Sequence, residues 1–288
     1  MLKKLLKYDV RAIWKLWAAL SVALIGMAVI LSFIIRLSIA SNLMDETSIL
    51  SIFLVLGSVF MGFGVVMAWS GILIVTPIMC YIRYFKNFFS DEGYLTFTLP
   101  VKRRDLYLSK VVNVFLFNAG NVLVTIIAVL LFLLIIPGTG NNGAIINFEI
   151  FVEFWKLIAM IWEAIGGWML VYLLGIILLM AVCSLYQIGM IHLCITVGAT
   201  VAKKHKVLAA LGIYIGVDFI LSTLYQVFGM FGIQSVEGLI LLLDKPSEPM
   251  IHLTLIAIIL LVIVAIATAA WILHLVTLNT IERKLNLA

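Results

Sequence analysis

Charge is scarce in this chain. Of 288 residues, only 11% are Asp, Glu, Lys or Arg, while 65% are hydrophobic. Soluble domains carry about 25% charge and about 45–50% apolar residues. Polar residues this few cannot cover the outside of a water-soluble fold, so lipid must solvate most of the surface. Cysteine is also sparse. Cys80, Cys183 and Cys194 all lie in apolar runs and read as small buried hydrophobes, not as a disulfide framework.

Catalytic motifs are missing as well. No G-x-x-x-x-G-K-[ST] occurs, which excludes a P-loop. No H-E-x-x-H or G-x-S-x-G occurs, and His192, His205, His252 and His274 are scattered without metal-ligand spacing. Catalysis by this chain alone is not expected, and no cofactor or metal site is predicted in it. The net charge is +5, but the basic residues cluster between apolar runs and form no stripe on a soluble domain. Nucleic-acid binding is therefore unsupported.

What is present is a series of six apolar stretches, each long enough to cross a bilayer: 16–39, 50–80, 111–136, 163–201, 207–230 and 250–276. The fold class expected is an all-α polytopic membrane bundle, a single transmembrane domain over 1–288. The second and fourth runs are over-long and must tilt, kink or protrude; Pro77 offers a kink, and Gly166-Gly167 a turn from an outer helix into the fourth span.

Basic clusters occupy every second connection: Lys3 to Lys15, Arg83 to Lys110, Lys203 to Lys206, and Arg283-Lys284. The alternate connections carry an acidic excess, including Asp45, Glu46, Glu149, Glu153, Glu237, Asp244 and Glu248. The positive-inside rule then places both termini in the cytoplasm. No signal peptide is read at the start, because the run after Lys7 is too long for one and no small-residue cleavage site follows promptly.

Residues 2–17 have Leu2, Leu6, Val10, Ile13 and Trp17 on one helical face and Lys3, Lys4, Lys7, Arg11 and Lys15 on the other. This predicts an in-plane amphipathic helix, 1–15, ahead of the first span. Two outer segments, 145–162 and 231–243, are apolar enough to be re-entrant or interfacial helices; the first could also be the early turns of the fourth span.

The polar cytoplasmic stretch 81–110 is longer than a connection needs. Ser90-Asp91-Glu92-Gly93 reads as a turn or helix start. Thr98 before Pro100 reads as an N-cap and first helical position, with a helix from Val101 into the third span. Leu95, Phe97 and Leu99 alternate with threonines and would be exposed in a lone loop. An apolar patch rimmed by charge marks a binding surface; a loop lying on lipid headgroups is the other reading.

The run from Gly93 to Lys110, GYLTFTLPVKRRDLYLSK, resembles the TLP-[VI]-x-R-x-x-L-x-x-[SG]-K stretch of permease subunits in bacterial type-2 ABC transporters. The in-plane start, six spans, motif between spans two and three, and apolar outer segments extend the resemblance over the whole chain. It implies a coupling helix in 81–110 that docks on a separate ATPase subunit through Asp91, Glu92, Tyr94, Leu95, Phe97, Leu99, Lys102, Arg103, Arg104 and Asp105. It also implies ATP and Mg on that partner, a second permease subunit, and a bacterial cytoplasmic membrane. The function expected is ATP-driven export of an amphipathic peptide or lipid-like substrate by alternating access. A non-transporting sensor or scaffold using the same loop is the alternative.

A charge inside a span is costly and is a functional hypothesis by default. Asp218 lies mid-way along the fifth run, with Ser222 and Tyr225 on its face at i+4 and i+7. It either faces a translocation path or satisfies a buried hydrogen bond with Asn118, Asn121, Gln187 or His192. Gly212 and Gly216 form a G-x-x-x-G on roughly the opposite face, where another helix could approach.

Overall fold

In lipid, a backbone N–H or C=O without a partner costs several kcal/mol, so an apolar run of this length becomes helix. The computed structural model describes residues 2–40, 49–98, 100–135, 149–202, 204–242 and 247–284. Among them are eight helices and no strands: α1 (Leu2–Ala40), α2 (Ile49–Phe89), α3 (Asp91–Thr98), α4 (Arg103–Ile135), α5 (Glu149–Ile165), α6 (Trp168–Val201), α7 (Lys206–Leu242) and α8 (Glu248–Lys284).

Six of these helices are long and apolar enough to span a membrane, and none buries more than 28% of its most apolar window inside the protein. Phe60 is 73% exposed and Met67 72%. Water would not tolerate that surface, so the chain is an all-α membrane protein.

Several expected boundaries move. The division between an in-plane helix and the first span is absent, because α1 runs unbroken from Leu2 to Ala40. No proline or glycine interrupts it before Gly26. Ile13 and Trp17, expected on a lipid face, pack on protein instead: Ile13 is fully buried and Trp17 lies edge-on to Phe117. α2 passes through Pro77 and continues to Phe89, so Tyr81–Phe89 is helix, not loop.

Thr98 is the last residue of α3 and cannot cap the next helix. Pro100 sits in the bend, and α4 opens at Arg103 with Asp105 and Leu106 donating to the Lys102 carbonyl. The run 163–201 is split. α5 ends at Ile165, the next residue Gly166 has a φ of +62° that favours glycine, and α6 begins at Trp168. The segment 231–243 is not a separate helix as far as it is described, since α7 is continuous to Leu242 despite glycines that each lower helix propensity by about 1 kcal/mol.

The helices fall into two compact units, Met1–Arg83 with Val112–Ala164 and Tyr84–Val111 with Ile165–Ala288. In the first, α1 runs antiparallel to α2 and parallel to α4. Their shared core is Leu24, Ala28, Ala68, Ile72, Val124 and Ala128. Small residues at these positions let helices approach where no hydrophobic effect drives them together. One polar bridge crosses this core: Trp17 Nε1 donates to Asn121 Oδ1 at 2.8 Å, and Asn121 Nδ2 donates to the Ile72 carbonyl at 3.1 Å. Ile72 is next to Leu73, whose carbonyl loses its helical donor to Pro77. Gly120 makes room for the ring, since a Cβ there would lie 3.0 Å from Trp17. At one end Asp9 faces Arg83 at 3.8 Å; at the other Arg36 reaches the Ile135 carbonyl at 3.3 Å.

In the second unit α6 packs along α8 in parallel and against α7 in antiparallel fashion. The α6–α7 approach is very close: a Cβ on Gly198 would lie 2.4 Å from the backbone N and Cα of Ala210.

Candidate functional site

Three places in the second unit carry polar chemistry. The first is the end of the unit where α3 lies. Gly93 is buried there, and its N–H donates to the Ser90 carbonyl at 2.7 Å. A Cβ on it would meet the Phe88 carbonyl oxygen at 3.0 Å, so the tight entry into α3 favours glycine. Oriented with its oxygen towards Lys110 Nζ (2.6 Å), the Asn87 amide turns its nitrogen towards Glu92 Oε2 (3.3 Å). One side chain thus joins α2, α3 and α4. Lys206 donates to the Phe89 carbonyl at 3.1 Å, and Arg103 to the Glu282 carbonyl at 3.0 Å. These cations serve carbonyls at the C-terminal ends of α2 and α8, where the helix dipole favours positive charge.

The residues expected to couple to a partner therefore sort into groups. Lys102 and Arg104 are exposed, Asp105 sits in the first turn of α4, and Arg103 is engaged with α8. Glu92 is exposed at its place in α3 and reaches Asn87. Asp91, Tyr94, Leu95 and Phe97 belong to α3, but their side chains lie outside the described residues, as does Leu99 entirely.

The second place is a buried ring cluster. Tyr84, Tyr107 and His192 are fully buried. The His192 ring lies 4.2 Å from Tyr84 and 5.7 Å from Tyr107, centroid to centroid. The Tyr84 hydroxyl bonds the Thr196 hydroxyl at 2.7 Å. Tyr107 Oη is 2.6 Å from His274 Nδ1, and His274 Nε2 is 3.2 Å from the Leu185 carbonyl. The carbonyl requires Nε2 to donate, so in the neutral ring Nδ1 accepts the Tyr107 proton. Gly189 leaves space for this ring, because its Cβ would sit 3.2 Å from His274.

Along the sequence the histidines are scattered, and only the meeting of separate helices gathers two of them with the tyrosines. A signal was available: Tyr84/Phe88, Ile188/His192/Thr196 and His274/Thr277/Ile281 are each at helical spacing on separate helices. A smaller ring site involves His252, stacked on Trp168 at 5.4 Å and 2.9 Å from the Tyr172 hydroxyl. Among the described residues no group of three His, Cys, Asp or Glu could hold a metal ion.

The third place is a half-open cavity of about 210 Å³ between α6 and α7, where Asp218 meets Gln187, Tyr186, Tyr214 and Ser222. Of the hydrogen-bond partners expected for Asp218, Asn121 is bonded to Trp17 and Ile72, and His192 packs in the ring cluster. Gln187 does share the cavity. Tyr225 is in α7, but its side chain lies outside the described residues. Among the described residues nothing lies within 4 Å of a Cβ built on Gly212 or Gly216; the close approach between α6 and α7 is at Gly198.

Fold and sites together define a polytopic membrane helix bundle with a braced polar end. Family models, curated proteins and solved structures yield no match to the chain.

Proposed function

We propose that this chain is the membrane permease subunit of an ATP-driven exporter of the type-2 ABC kind, inserted in a bacterial cytoplasmic membrane with both termini inside. The observation that carries this reading is α3. It is a short helix between two long ones, braced through Asn87 to Lys110, with Lys102 and Arg104 exposed beyond its end. A helix so held passes a push from a docked partner directly into α2 and α4. ATP and Mg would reside on that partner, since the sequence contains no P-loop. Nucleotide-driven closure of the partners would bias two packings of paired permease subunits, which is alternating access. The apolar character of the bundle suits an amphipathic peptide or lipid-like cargo.

The test is purification in mild detergent followed by transport in vesicles. The wild-type chain should bring an ATPase subunit with it. The double reversal Lys102→Glu/Arg104→Glu should weaken that association and lower substrate-stimulated ATP turnover by about tenfold or more, as loss of two charge-assisted contacts implies. Arg103 is left intact because it serves α8. Full turnover and transport in the double variant would refute the docking assignment. Absence of any ATPase from the wild-type preparation would favour a sensor or scaffold.

A further inference from the structure

We infer that the cavity between α6 and α7 is a binding site for a small organic ammonium ion, with Asp218 as its counter-charge. This deepens the proposed transport path and rests on the reading that Asp218 faces it, yet it requires no ATPase to be tested.

The argument begins with an uncompensated charge. Asp218 lies twelve residues beyond Lys206, about 18 Å along α7, between Val217 and Phe219. A carboxylate at such a position costs about 2.5–3.5 kcal/mol even on insertion scales. No ion pair reaches it among the described residues. Helix α6, which forms the facing wall, carries no Lys or Arg from Trp168 to Val201. Its histidine, His192, packs in the ring cluster with Tyr84 and Tyr107. A cation entering the half-open cavity would supply the missing charge.

The cavity lining says which cation. Besides Asp218 the lining includes Gln187, Tyr186, Tyr214 and Ser222, side chains that all carry acceptor oxygens; the Ser222 hydroxyl gives its proton to the Phe219 carbonyl at 3.0 Å and keeps its oxygen to accept. An ammonium presents up to three donors and no acceptor, the complement of that set. The two tyrosine rings add faces for cation–π contact. Met190 and Leu221 complete the wall with apolar surface, which a carbon substituent fills and a hydrated metal ion does not. At about 210 Å³ the space is smaller than a drug-sized pocket, so the ligand is small or inserts only its head.

The probe is radiolabelled phenethylammonium, measured by equilibrium dialysis against the full chain in lipid nanodiscs and against empty nanodiscs. Saturable binding to the wild-type chain is expected, with no competition from the isosteric alcohol, the isosteric carboxylate, or sodium and potassium. Asp218→Asn should weaken binding by about tenfold or more, while Asp218→Glu, which keeps the charge, should largely retain it. Tyr214→Phe keeps the ring and should bind better than Tyr214→Leu. Wild-type affinity in Asp218→Asn, equal competition by the neutral alcohol or by sodium, or no saturable binding to the wild-type chain would each overturn the inference. None of these outcomes touches the ATPase co-purification result, so the two ideas fail separately.

Discussion

Helices α1, α2 and α4 share an aliphatic, small-residue core crossed by the Trp17–Asn121–Ile72 bridge, with polar contacts at its two ends, whereas in the second unit the buried rings of Tyr84 and Tyr107 bond to partners on α6 and α8, and α6 meets α7 backbone to backbone. The contrast follows from the solvent. In lipid, apolar packing gains little over apolar solvation, so contact must come from close fit or from polar groups with nowhere else to bond. The first unit uses the softer solution and the second the stricter one. Candidate chemistry gathers in the stricter unit, where Asp218, the ring cluster and the α3 brace all occur.

The sharpest way to break this contrast is a pair of glycine substitutions. In Gly198→Leu the new side chain starts 2.4 Å from the Ala210 backbone, which cannot yield as a side chain would. A loss of about 3 kcal/mol or more is expected, read as a large fall in the thermal unfolding midpoint in detergent. In Gly64→Ala of the first unit, the nearest atom is Met27 Sδ at 3.3 Å, on a side chain with several free torsions. That variant should unfold within a degree or two of wild type, about 0.5 kcal/mol. Equal effects would remove the distinction between the units.

The first unit was legible in the sequence to a large extent, and the second much less so. Apolar runs and alternating basic clusters announce long helices, because periodicity and length are local properties. Boundaries between continuous helices are different. Nothing in residues 2–17 says whether the amphipathic face meets lipid or protein; only the packing of Ile13 and Trp17 answers that. Pro100 looked like a helix start because its preference is local, while α3 and the Lys102 carbonyl decide the matter from either side of it. The meeting of Tyr107 with His274, 167 positions apart, is tertiary: helical spacing marks a polar face on each helix, but nothing local says which faces meet.

A middle-sized effect separates the two kinds of polar contact. Asn121→Leu removes an acceptor from Trp17 Nε1 and a donor from the Ile72 carbonyl, leaving an indole N–H without its partner in an aliphatic core. About 1–2 kcal/mol should be lost. Tyr107→Phe removes one hydrogen bond to His274 but keeps the ring in its cluster, so about 0.6 kcal/mol is expected, the average for such bonds in membrane helices. Chemical denaturation of both variants in the same detergent ranks them. A greater loss in Tyr107→Phe would mean that the second unit depends on its hydroxyl, not on ring packing.

The smallest effect is expected at the G-x-x-x-G of α7. Gly212→Ala and Gly216→Ala each add a methyl group to a position with no heavy atom within 4 Å. Alanine also favours helix over glycine by about 0.8–1 kcal/mol, so the double variant should match or slightly exceed the wild-type unfolding midpoint. A clear fall in that midpoint at low protein concentration would place a helix of the same chain against this face. A fall that appears only at concentrations where the chain self-associates would instead assign the face to a second permease subunit, and the G-x-x-x-G of α7 would then act between copies and not within one.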